Sequence, residues 1–456
     1  PTPLLPTRDS EDDLPVLIRG VGMTIGSATF RLRCAVRHDY ARAATTARQD
    51  GTHICFEAPG QPSLRLCADQ PMTLDGNTAV AEFTLEQGQS AEFLLGGIDD
   101  PRLQDDVGAI CLERTLAFWR GWIGQSNYRG RWREMVNRSA LALKLLTSRK
   151  HGAILAAATF GLPETRGGER NWDYRYTWIR DASFTVYAFM RLGFVEEANA
   201  YMRWLRERVS DCCERPTKLN ILYGLDGRLE LPETELPHLS GFGNAQPVRI
   251  GNLAYQQVQL DIFGELMDAV YLVNKYGEAI SHQGWKHTVE VIDQVCNVWQ
   301  DKDVGIWEMR GDTQHFLHSR LMCWVAVDRA IRLAEKRSLP APFARWDETR
   351  QAIYQDIWTH FWSEEHQHFV QRLGSTALDG SMLLMPLVRF VSARDPRWLS
   401  TLDAIEKHLV RDGMVYRYRN DDSPIDGLSG VEGSFAACSF WYVECLARAG
   451  RVEKAQ

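Results

Sequence analysis

Near Asp99-Asp100-Pro101 the spacing of apolar residues changes from two to between three and four, and no single kind of core serves both patterns. From Val16 to about Gly97 the apolar residues alternate in short runs, at 29–34, 53–56, 63–67 and 79–85, separated by Gly, Pro, Asp and Asn turns. Such runs predict antiparallel β-structure. Residues 105–130, with two tryptophans, read as a helical linker, and from residue 131 onward the pattern is helix upon helix. Helices are expected at about 131–148, 181–193, 195–209, 254–276, 282–299, 316–337, 341–359, 379–391, 396–409 and 434–449. The chain therefore divides into a β-domain over 1–104, a linker over 105–130 and a large helical domain over 131–456. The loops between helices hold most of the tryptophan, glycine and acidic clusters, where sites usually sit on a rigid scaffold.

At 456 residues the chain is too long for one ordinary core. A formal charge of −7 gives no basic footprint, which argues against nucleic acid or an anionic membrane as partner. No apolar run approaches the roughly 20 residues that a membrane helix needs. Ten cysteines stand singly except for Cys212-Cys213, with no Cys-x-x-Cys pair, so neither a zinc site nor a disulfide framework is expected. A reducing, cytoplasmic setting is the default. The opening at Pro1 reads as a cut edge. Fifteen tryptophans and fourteen tyrosines supply flat apolar faces that fill helical cores or stack on sugar rings.

Four segments concentrate chemistry. The densest, Arg170-Asn171-Trp172-Asp173-Tyr174-Arg175-Tyr176-Thr177-Trp178-Ile179-Arg180-Asp181, interleaves rings with opposite charges ahead of a helix. Ring faces stack on sugar C–H groups while Arg and Asp grip vicinal hydroxyls. Asp181 also suits a helix N-cap paired with Arg180. The second runs from Val248 to Glu265; on a helix Gln257, Asp261 and Glu265 share one face, with Gln259 offset. The third, Gly305-Ile306-Trp307-Glu308-Met309-Arg310-Gly311, holds a carboxyl group between Trp307 and Arg310. A general acid needs a raised pKa, which an adjacent indole supplies by desolvation and a contacting arginine would oppose. The fourth, Val415-Tyr416-Arg417-Tyr418 followed by Gly430-Val431-Glu432-Gly433, adds an arginine between rings and a carboxylate that equally suits a helix N-terminus. His315 and His318 lie one turn apart, but with no third ligand beside them in sequence they read as core or surface histidines, and no metal or cofactor is expected.

In this order the four segments resemble glycoside hydrolase family 15, the glucoamylase, glucodextranase and bacterial trehalase-like group, over nearly the whole chain. The resemblance implies a mainly α fold: an (α/α)6 barrel of twelve helices, preceded by an antiparallel β-sandwich that is only partial here. It implies exo-acting, inverting release of glucose from a small α-glucoside, trehalose or an α-1,6 or α-1,4 oligosaccharide, with no cofactor. Glu308 matches the general acid. Tyr174, Trp178, Arg180 and Asp181 match the groups that hold the terminal glucose, Trp307 flanks the acid, and Arg417 matches an arginine near the cleavage point. Gln259 and Asp261 fall in the stretch matching the second motif. The family's general base follows the helix after Ser439-Phe440-Trp441-Tyr442-Val443-Glu444, so it is expected beyond Gln456, and Glu432 is read as pocket lining. Two rivals remain at this level: a glycoside phosphorylase, in which phosphate replaces activated water, and a glucoside-binding protein without turnover.

Overall fold

The computed structural model describes residues 16–100, 103, 107–214, 219–419, 426–427 and 433–456; the side chains of 107–110, 211–214 and 276 lie outside that description. Two compact units result, 1–126 and 127–456.

The first unit carries eight antiparallel strands: β1 (Leu17–Gly22), β2 (Ser27–Cys34), β3 (Thr46–Asp50), β4 (His53–Glu57), β5 (Leu64–Ala68), β6 (Thr73–Asp75), β7 (Thr78–Glu86) and β8 (Ser90–Gly97). They form a five-stranded sheet in the order β1-β8-β5-β4-β3 and a three-stranded sheet in the order β2-β7-β6. Alternation decides which face is buried: Ala79, Ala81, Phe83 and Leu85 of β7 point inward while Glu82 and Glu86 stay exposed. Those inward residues join Ile54, Phe56, Leu66 and Phe93 of the other sheet in one core. Helix α1 (Val107–Gly124) completes the unit.

The second unit is built from α2 (Arg133–Leu145), α3 (Ile179–Leu192), α4 (Val195–Glu214), α5 (Ile262–Tyr276), α6 (His282–Val298), α7 (Leu317–Arg337), α8 (Phe343–His360), α9 (Leu384–Leu387), α10 (Pro396–Leu409), α11 (Ala436–Arg448) and α12 (Val452–Ala455). Helix α3 packs on α4 and α5, and α7 packs on α5, α6 and α8. Helix α7 is buried nearly all round from Leu317 to Ala334, as a central helix must be.

Two expected helices differ. The helix expected from residue 254 starts at Ile262, because Leu253–Gln256 closes as a 3-10 turn capped by the Asn252 side chain and the Leu260 N–H is taken by the Asp303 carboxylate at 2.9 Å. Gln257 therefore lies off the helix and shares no helical face with Asp261 and Glu265. The helix expected over 379–391 contracts to a 3-10 turn at Gly380–Leu383, capped by Asp379, and the short α9; Arg389 then takes a left-handed φ of 67°. Among the described residues no helix is long and apolar enough to cross a membrane.

Candidate active site

The long loops of the helical unit surround a cavity of about 900 Å³. Trp172, Tyr174, Trp178, Arg180 and Asp181 line it from the first motif, Trp307 and Glu308 from the third, and Arg417 from the fourth, with Glu164 between them.

Glu308 is held from two sides. Its Oε1 accepts the Trp178 indole N–H at 2.7 Å and an Arg180 Nη2 hydrogen bond at 3.3 Å. Among the described residues Oε2 takes no such bond, which leaves one oxygen for a ligand. The loop that presents Glu308 is turned by Gly305, at φ 70°, where a Cβ would sit 3.0 Å from the Phe316 ring. Glu308 itself has φ 58°, a left-handed conformation that costs about 1–3 kcal/mol and persists only where its surroundings enforce it. The enforcing contacts are at hand: Met309 N–H donates to Val304 O, and Arg310 N–H donates to Asp426 O.

The arginine on the acid is Arg180. Arg310 points elsewhere, to Glu233 at 3.2 Å and over the Trp172 ring at 4.1 Å. Arg180 also meets Asp181 at 3.5 Å, Asp261 at 3.6 Å and the Gln259 amide oxygen at 3.1 Å. Burial alone would lower the Arg180 pKa, but the carboxylates of Asp181, Asp261, Glu308 and Glu265 outweigh it and hold it above its ordinary value. Asp181 is not the N-cap of α3; that position is Trp178. Tyr174 tilts against Trp178 with ring centroids 6.1 Å apart, and burial pushes its phenol pKa upward.

Gln259 and Asp261 do not line the cavity. They are 1% and 0% exposed and lie behind Arg180. Burial pushes Asp261 up to about 6 against the pull of Arg180. Glu432 lies outside the described residues. His315 stands 2.9 Å from Arg320, whereas His318, 3% exposed, faces Asp261 at 3.8 Å. Carboxylates therefore do meet one of the two histidines, from a helix some fifty residues earlier in sequence. Burial, reinforced by Arg180, lowers the His318 pKa to about 3.

Four carboxylates that no sequence motif singled out position the site. Asp303 accepts from Gly305 N–H, Leu260 N–H and the Ser319 hydroxyl, so one buried side chain joins the Glu308 loop to the starts of α5 and α7. Burial pushes it up to about 7, with those hydrogen bonds opposing. Asp379 receives the Trp307 indole N–H at 2.9 Å and the Gln371 amide at 2.7 Å, and burial raises its pKa as well. Glu164 holds Arg417 at 2.7 Å, and Arg417 in turn lies 5.5 Å over the Trp307 ring. Asp426 takes Arg170 and the Tyr418 hydroxyl, both at 2.6 Å. Acids that meet their partners across as many as 256 residues leave no local pattern to read.

Residues 130–456 match the model of the glycosyl hydrolases family 15. The chain is 38% identical over 450 residues to a trehalase of Mycobacterium tuberculosis, covering 97% of this chain and 66% of that one. It is 37% identical over 356 residues to a trehalase of Thermoplasma acidophilum, covering 78% and 60%. The chain thus spans under two thirds of the length of either relative. In fold it is similar to a bacterial glucoamylase complexed with acarbose, with a TM-score of 0.63 at 15% identity over 89% of this chain and 66% of that one.

Proposed function

Because the chain belongs to glycosyl hydrolase family 15, we propose that it is an exo-acting hydrolase that releases glucose from a small α-glucoside, trehalose first among them. The observation that carries this reading is the Glu308 carboxyl group, exposed to an aromatic-lined cavity on one oxygen and held on the other by Trp178 and Arg180. The trehalase relatives support trehalose over α-1,6 and α-1,4 glucosides.

In this reading the glucose ring lies against Tyr174 and Trp178, and Arg180 and Asp181 grip its hydroxyls. Glu308 gives its proton to the glycosidic oxygen, so the leaving sugar departs neutral. A water activated by a second carboxylate attacks the anomeric carbon from the opposite face and inverts it. That base belongs to a second group roughly 6.5–9.5 Å from the acid, and none of the described carboxylates is assigned the role. The proposal includes an (α/α)6 arrangement of the helical unit, an N-terminal β-sandwich, no cofactor in the chemical step and a cytoplasmic setting.

Trehalose turnover followed by NMR tests it. The wild-type protein should release α- and β-glucose in equal initial amounts, the β anomer from the attacked ring and the α anomer from the leaving sugar, and Glu308→Gln should lower kcat by about 10³-fold while glucose binding persists. Release of α-glucose alone, with no β-glucose beside it, would overturn inversion. Turnover that consumes inorganic phosphate and yields glucose 1-phosphate in place of one glucose would make the protein a phosphorylase, and binding without turnover in the full-length protein would leave a binding protein.

A further inference from the structure

Helices α5 and α7 pack together, and their first turns bring three side chains to one point behind Arg180. Asp261 precedes α5, Glu265 follows one turn later, and His318 opens α7. One ligand atom from each lies within 4.8 Å of the other two. All three are buried, at 0%, 3% and 3% exposed. Among the described residues, both oxygens of Asp261, Oε1 of Glu265 and both ring nitrogens of His318 lack a hydrogen-bond partner.

Five such atoms in one place are not an ordinary core. A buried polar atom left without a partner is costly, and here carboxylate oxygens and imidazole nitrogens with lone pairs to give converge on one point. Charge points the same way. The guanidinium of Arg180 is 3.6 Å from Asp261 but is shared with Asp181 and Glu308, so among the described residues the carboxylates here are in excess of the charge that meets them. Something that accepts lone pairs and brings positive charge meets both deficits.

We infer that Asp261, Glu265 and His318 bind one divalent transition-metal ion, of the zinc or manganese class. The donor set selects the class. An imidazole with two carboxylates suits Zn²⁺ or Mn²⁺, whereas Ca²⁺ takes six to eight oxygens and Mg²⁺ prefers oxygens and water. Ligand atoms around an ion of about 2.1 Å bond length stand roughly 3–4 Å apart, so the three side chains need to draw in by less than about 1 Å. The ion pins the start of α5 to the start of α7 and fixes Asp261, and through it Arg180, behind the cavity. It touches no substrate, and its binding does not depend on the hydrolase reading.

Metal content and calorimetry test the inference on the protein as purified and after dialysis against EDTA. The stripped wild-type chain, titrated with ZnCl2 or MnCl2, should take up one ion per chain and melt at a higher temperature with it. Glu265→Gln and His318→Gln, each compared by circular dichroism with the stripped wild type to establish folding, should bind at least about 100-fold more weakly. A folded wild-type chain that binds neither ion at millimolar concentration overturns the inference. So does equal binding by both folded variants, or uptake of Mg²⁺ alone.

Discussion

Arg180 is the side chain on which the site turns, because one guanidinium serves Glu308 at the cavity, Asp181 at its edge and the fully buried Asp261 behind. A planar, permanently charged fork can meet partners in three directions, which an ammonium cannot. Replacing it takes the guanidinium away from the buried Asp261, and breaking a buried pair from one side costs about 3–5 kcal/mol. Arg180→Met should therefore lower the unfolding free energy measured in urea by an amount in that range, in addition to abolishing the proposed turnover; a stability change under about 1 kcal/mol would show that Asp261 does not rely on it. The sequence made this residue legible, together with Tyr174, Trp178, Asp181 and Glu308, because each stands in a contiguous run of mixed charge and aromatic rings. It hid Asp303, Asp379 and Glu164, since an isolated acid in a loop has no distinguishing neighbours until the chain folds 72 residues of separation into the Trp307–Asp379 bond, or 253 into Arg417–Glu164. His318 was hidden for the same reason: its carboxylates arrive from another helix.

At the scale of elements, long amphipathic helices were readable, and α6 and α10 start where the sequence places them, but the start of α5 was not legible. The period that marks α5 continues back through Leu253 and Ala254, but two competing acceptors, the Asn252 side chain and the Asp303 carboxylate, capture N–H groups and delay the helix to Ile262. Asp303 thus fixes where α5 begins and where the Glu308 loop sits, and it does so with a pKa near 7. Between about pH 4 and 7 the folded protein keeps a proton on Asp303 that the unfolded chain has lost, so this group's stabilisation is greatest at the acid end and is lost as pH rises toward 7. At about 1.4 kcal/mol per unit the effect is at most on the order of 4 kcal/mol. Asp303→Asn removes the titration. The stability advantage of wild type over this variant, followed by urea unfolding at pH 5, 6 and 7, should shrink steadily with rising pH; a gap that widens would contradict the assignment.

The whole molecule joins an antiparallel β unit to a helical one, each with its own core, so its unfolding should not be a single event. Scanning calorimetry should give two transitions, or one whose van't Hoff enthalpy falls short of the calorimetric value; equality of the two would mean that the units melt together. The switch in hydrophobic period made the two classes of structure visible from the residues alone, while the pairing order of the strands, β1-β8-β5-β4-β3 and β2-β7-β6, required long-range register that alternation does not encode. The left-handed backbone at Glu308 links the scale of one residue to the stability of the whole. Only glycine adopts φ 58° without a Cβ penalty, so Glu308→Gly should raise the melting temperature by a few degrees while ending catalysis. Were the chain released from selection for its chemistry, drift would meet a downhill step at the residue proposed as its general acid, and a sturdier, inert descendant would be easier to reach than an equally sturdy working one.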